Sequence, residues 1–61
     1  MRRADETPEV GQLWQVYDPE GMEFFDALIV ERTTRKWKAL DIEHTSLIEV
    51  PSVSWFWKRI A

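Results

Sequence analysis

The stretch Met22-Glu23-Phe24-Phe25-Asp26-Ala27-Leu28-Ile29-Val30-Glu31-Arg32 decides whether this chain is all-β or mixed, because two periodicities fit it at once. With a period of two, Phe24, Asp26, Leu28 and Val30 fall on one face and Phe25, Ala27 and Ile29 on the other, as a strand requires. With a period near 3.6, Phe24, Phe25, Leu28 and Ile29 gather on one side, and Asp18-Pro19 upstream can open a helix. The run Leu28-Ile29-Val30, followed by Thr33-Thr34, favours extended structure. An α+β fold with a helix near residues 20–32 stays open as the alternative.

Working outward, Asp18-Pro19-Glu20-Gly21 reads as a type I turn: Asp18 accepts from the backbone, Pro19 presets φ at the second position and Gly21 suits the exit. Before it, Val10, Gln12, Trp14 and Val16 alternate with Gly11, Leu13, Gln15 and Tyr17, which predicts a first strand. After it, Thr33 to Arg35 is a short polar connection. Lys36 to Ile42 predicts a third strand with Trp37 and Ala39 on one face and Leu40 and Ile42 on the other. Glu43-His44-Thr45-Ser46 breaks it, and Leu47 to Val50 makes a fourth. Pro51 lacks a ladder donor and stops that strand, so Ser52-Val53-Ser54 fits a single 3₁₀ turn. Trp55 to Ile60 is the last strand. There Trp55 and Trp57 share one parity, expected outward, while Phe56 and Ile60 share the other, expected inward.

Five short strands with a one-turn insertion before the last describe an all-β, five-stranded SH3-like barrel over residues 9–61, preceded by a flexible polar arm, residues 1–8. Val10-Gly11-Gln12-Leu13-Trp14 at the start and Trp57-Lys58-Arg59-Ile60 at the end carry a resemblance. The chain resembles the SH3-like superfamily and, within it, the short SH3-like open reading frames of actinobacteria and their phages. Those often open on Val-Gly-Gln-x-Trp and end in an aromatic-basic-aliphatic strand. The resemblance spans residues 9–60 and informs fold far more than function; a small phage or bacterial accessory or inhibitor protein is the expected setting. The Ala-Leu-Tyr-Asp-Tyr motif and the Trp-Trp pair of peptide-binding SH3 domains do not occur here, so proline-rich ligand binding does not carry over.

Length bounds the stabilising forces. A chain of 61 residues holds one domain, and at this size only about 60% of the unfolded surface is buried, so large rings must supply much of the stability. There are four tryptophans and no cysteine, which excludes disulfide staples and thiolate metal sites and fits a cytoplasmic protein. Met1 reads as the initiator. Residues 1–10 lack the apolar run of a secretory signal, and no stretch reaches the roughly 18 apolar residues of a membrane span, so a membrane partner is not expected. The net charge of −3 hides an asymmetry: residues 1–31 hold eight acids and two bases, and residues 32–61 hold six bases and three acids. Strands that interleave bring the two halves together, and mutual neutralisation follows.

Catalytic chemistry finds little footing. Asp41-Ile42-Glu43-His44 is the one acid-imidazole cluster, and it lacks a third ligand or a positioned nucleophile. Ser46, Ser52 and Ser54 suit turns and caps, and two glycines, Gly11 and Gly21, are too few for a phosphate cradle. A non-enzymatic module without cofactor or metal is the expectation. Its leading candidate surface is an apolar ledge of Trp55 and Trp57 with Tyr17, docking a protein partner or a second copy as a homodimer, since clustered exposed aromatics are typical of binding hot spots. The alternative is nucleic acid, bound by Arg32, Arg35, Lys36 and Lys38 with Trp37 stacking on a base. An acidic side of Asp18, Glu20, Glu23 and Asp26 offers a basic host protein a third kind of contact.

Overall fold

The computed structural model describes residues 6–61. It is all-β, with five antiparallel strands in one sheet: β1 (Leu13–Asp18), β2 (Glu23–Arg32), β3 (Trp37–Asp41), β4 (Ser46–Val50) and β5 (Phe56–Arg59). The strand order is β4-β3-β2-β1-β5, and a 3₁₀ turn, Val53–Trp55, precedes β5. Residues 23–32 are therefore strand, and the helical alternative is excluded. The period of two wins because Phe25, Ala27 and Ile29 all turn inward, whereas Phe24 next to them is half exposed.

At ten residues, β2 is the longest strand, and it serves two neighbours. Its first part pairs with β1, from Asp18 opposite Glu23 to Leu13 opposite Leu28. Its second part pairs with β3, from Ala27 opposite Asp41 to Arg32 opposite Trp37. Only Ala27 and Leu28 take part in both ladders, and the sheet rolls about this point. Flat strands three steps apart would lie about 14 Å from one another at the usual spacing. Yet the Phe56 ring of β5 stands 5.2 Å from the Trp37 ring of β3, and 5.6 Å from Trp14 on its other side. One face of the sheet thus closes around a core of Trp14, Val16, Ala27, Ile29, Trp37, Ala39, Val50 and Phe56.

Both core indoles have their N–H satisfied, as a buried tryptophan requires. Trp14 Nε1 donates to Gln12 Oε1 at 2.9 Å. Trp37 Nε1 donates to the Pro8 carbonyl at 3.0 Å. Pro8 itself is fully buried, and Glu6 reaches Arg59 at 3.7 Å. Of residues 1–8, expected as a loose arm, the first five lie outside the described residues, while Glu6 and Pro8 make these contacts with the barrel.

Local chemistry sets the turns. Asp18 Oδ1 accepts from the N–H groups of Glu20, at 2.9 Å, and Gly21, at 3.3 Å, so the turn closes as its residues direct. The left-handed position, however, falls on Met22 at φ 54° and not on Gly21. Ser52 caps the 3₁₀ turn, its Oγ accepting from Ser54 N at 3.2 Å, and Trp55 N closes it onto Ser52 O at 3.1 Å. The turn therefore includes Trp55, one residue later than the sequence suggests.

Two bulges break the alternation. On β2 the register advances from Ile29 opposite Ala39 to Glu31 opposite Lys38, which leaves Val30 as the extra residue. On β5, Phe56 opposes Val16 and Lys58 opposes Gln15, which leaves Trp57 extra. An extra residue reverses the facing of everything beyond it. Ile60 was expected to share the inward face of Phe56. It is instead 46% exposed, beside Leu13, to whose carbonyl its N–H donates at 2.8 Å.

Candidate functional site

The outward face of the barrel carries the apolar surface. Tyr17 and Phe24 stand directly opposite each other on β1 and β2, with ring centroids 4.7 Å apart. Phe24 meets Trp57 edge-on at 5.8 Å, that indole standing outward as the extra residue of the β5 bulge. The three rings make one strip across β2, β1 and β5, with Phe24 half exposed and Trp57 44% exposed. Along the same face Leu13, Leu28, Leu40 and Leu47 form a cross-strand row.

Two of the three residues expected in the aromatic ledge, Tyr17 and Trp57, are thus brought together. Trp55 is not with them. It sits in the 3₁₀ turn, half-buried and packed against the core, because that turn takes the backbone out of extended geometry before parity can apply. Phe24 occupies the place assigned to Trp55. Its outward facing follows from alternation in β2, but its joining with Tyr17 and Trp57 depends on register, which one sequence does not display.

Charge divides the barrel end to end. Because neighbouring strands run antiparallel, the β1–β2 and β3–β4 turns lie at one end and the β2–β3 connection at the other. The first end carries Asp18, Glu20, Glu23, Asp41 and Glu43, and the second carries Arg32, Arg35, Lys36 and Arg59. Lys36 pairs with Glu49 at 3.0 Å, Lys38 with Glu31 at 3.6 Å and Arg59 with Glu6 at 3.7 Å. These pairs are exposed and worth about 0–1 kcal/mol each, but they cancel much of the basic end. No Lys or Arg among the described residues forms an ion pair with Asp18, Glu20, Glu23, Asp26 or Glu43.

At the acidic end a cleft of about 380 Å³ is lined by Phe24, Phe25 and Ile48, and by Asp18, Glu23, Asp41, Glu43 and His44. Asp41 is buried, and both its oxygens are occupied. Oδ1 accepts from the N–H groups of Glu43 and His44, and Oδ2 accepts from His44 Nδ1 at 2.9 Å. A carboxylate can only accept, so the imidazole proton resides on Nδ1. The same hydrogen bond holds the His44 pKa above its ordinary value and lowers that of Asp41, against the upward push of Asp41's own burial. The pair closes the β3–β4 turn around Thr45, which has φ 52°. No group of three His, Cys, Asp or Glu among the described residues is placed to hold a metal ion.

The basic-aromatic residues of the nucleic-acid reading share one end of the barrel, but their ring is not open to a ligand. Trp37 is 6% exposed, and its ring is roofed by Pro8 and by the Arg32 guanidinium, 5.4 Å from its centroid. It is a core residue, so no base can stack on it. Lys36 and Lys38 are engaged with Glu49 and Glu31.

No helix among the described residues is long and apolar enough to cross a membrane. No family model, no curated protein and no solved structure matches the chain.

Proposed function

We propose that this domain is a non-enzymatic protein-interaction module whose docking surface is the Tyr17–Phe24–Trp57 strip. The observation that carries the proposal is the contiguity of three outward rings on a barrel whose other large rings are spent on its core. Aromatic side chains offer about 150–250 Å² each, so half of Phe24 and somewhat less of Trp57 leave about 200 Å² of ring in water, worth about 5 kcal/mol at 25 cal/mol per Å². Association costs at least about 4 kcal/mol before any contact is gained. The strip is therefore an anchor and not a whole interface, and contacts at its margins decide the partner.

Strand order supports the same role. β5 ends it, so no other strand of the sheet takes its outer ladder groups, and a partner segment added there would lie beside Trp57. A small accessory or inhibitor protein of a bacterium or phage, held in the cytoplasm, is the setting proposed for such a module. Nucleic-acid binding is the weaker alternative, since it loses its stacking platform to the core.

The test compares the unaltered domain with the double variant Phe24→Ser, Trp57→Ser. Sedimentation equilibrium over a concentration range reads self-association, and selection of a random dodecapeptide library on the immobilised domain reads partner binding. The strip predicts enrichment, or reversible dimerisation, that the folded double variant loses. A variant that enriches the same peptides, or dimerises equally, refutes it.

A further inference from the structure

Phe24 of the aromatic strip also lines the neighbouring cleft together with Phe25 and Ile48, so the strip and the cleft share this residue. Around this apolar lining stand Asp18, Glu23, Asp41, Glu43 and His44. Asp41 and His44 satisfy each other and the turn, and one oxygen of Asp18 is held by its own turn. The side chains of Glu23, at the start of β2, and Glu43, in the β3–β4 turn, make no hydrogen bond or ion pair, and the one opposite charge near them is that of the His44 imidazole when protonated. The volume of about 380 Å³ lies within the range of sites that take a small ligand or a side chain.

We infer that the partner presents a basic segment, and that one arginine or lysine of it enters this cleft while a neighbouring apolar side chain rests on Phe24 and Trp57. This rests on the docking role of the strip and adds the partner's chemistry. Charge complementarity selects the occupant. An anionic ligand, including a nucleic-acid backbone, meets only carboxylates beside the imidazole. A neutral apolar segment brings Glu23 and Glu43 no counter-charge. A long cationic side chain answers both features, since its methylene stem lies along Phe24, Phe25 and Ile48 while its head reaches carboxylates at the rim. An aromatic face beside the path adds cation–π attraction.

The probe is a doubly blocked hexapeptide of glycine, leucine, arginine, leucine, arginine and glycine, compared with the same peptide carrying citrulline, its neutral isostere, in place of arginine. Titration followed by amide and indole NMR shifts reads where and how tightly each binds. The arginine peptide should saturate, moving the Trp57 indole together with amides of residues 18–24 and 41–44. The citrulline peptide should bind about fivefold or more weakly, and so should the arginine peptide on the double variant Glu23→Gln, Glu43→Gln. The control is Glu31→Gln, Glu49→Gln, which alters net charge equally and should change affinity less than about twofold. Equal weakening in both doubles would reduce the effect to bulk charge and overturn the inference. Citrulline binding as well as arginine, with the Trp57 indole still moving, overturns the cationic occupant and leaves the strip standing. If neither peptide moves Trp57, both fall. A domain that self-associates through the cleft before peptide is added makes the occupant a second copy and overturns a separate partner.

Discussion

Trp37 and Trp57 are chemically identical residues on strands of one small sheet, and the barrel uses them in opposite ways. Trp37 faces inward, packs edge-on against Phe56, donates its N–H to the Pro8 carbonyl and lies under Arg32. Trp57 faces outward from a bulge, touches Phe24 alone among the ring contacts described and keeps nearly half its surface in water. The difference teaches that ring count alone does not separate core from surface. What separates them is whether the chain supplies an acceptor for the indole N–H and a cover for the ring. For Trp37, that cover comes from a segment 29 residues away in sequence, Pro8.

The contrast can be broken most violently at its inner member. Trp37→Ala removes the ring shared by Phe56, Arg32 and Pro8 and should cost about 3–5 kcal/mol, comparable with all that a core of this size supplies. Loss of the cooperative urea transition and of near-ultraviolet circular dichroism checks it; a variant that still unfolds cooperatively near the parent midpoint would place Trp37 outside the core. Deleting residues 1–8 is the next largest change. It leaves the Trp37 N–H facing no acceptor, with an expected loss of about 1–3 kcal/mol, read from the urea midpoint.

The outer member should respond far less. Trp57→Ser gives up one edge contact with Phe24, so the unfolding free energy should fall by about 1 kcal/mol or less, while the docking readouts disappear. A fall as large as that of Trp37→Ala would make Trp57 a structural residue and end the comparison.

The smallest expected effect is the pH dependence of the Asp41–His44 turn. His44 has a raised pKa in the folded chain, so its share of stability is fully present below the ordinary imidazole value and is lost as pH rises through the raised one. Asp41 works the other way: its share is present above the ordinary carboxylate value and is lost as pH falls through the lowered one. Stability from the pair is therefore greatest between the two, and His44→Gln should flatten the gain seen as pH falls from about 8 to about 6. Urea midpoints across that range check the sign. Because the His44 side chain is 68% exposed, solvent screening keeps the effect small.

Much of this arrangement was legible in the sequence, and the exceptions have definite causes. Five strands, their order along the chain and the 3₁₀ turn follow from alternation punctuated by Asp18-Pro19, Thr33-Thr34, Glu43-His44 and Pro51. Phe56 facing inward and Trp57 outward follow from parity. Ile60 does not, since the bulge at Trp57 exists only when β5 pairs with β1, and pairing is a property of two segments. Trp55 escaped the outer strip because a turn took it before strand geometry began. Phe24 was readable as outward but not as a neighbour of Tyr17, because register is set by the turn at Asp18 as it actually closes. The cleft at the acidic end needed both the β1–β2 and β3–β4 turns on one side of a rolled sheet, which no local pattern declares.

Hydrogen exchange of the four indole N–H groups, resolved as separate NMR signals, tests the inward–outward division most directly. The Trp14 and Trp37 signals should exchange only through global unfolding, at one common rate, while Trp57 exchanges at close to the rate of a free indole. Protection of Trp57 equal to that of Trp37, or rapid exchange at Trp37, would contradict it.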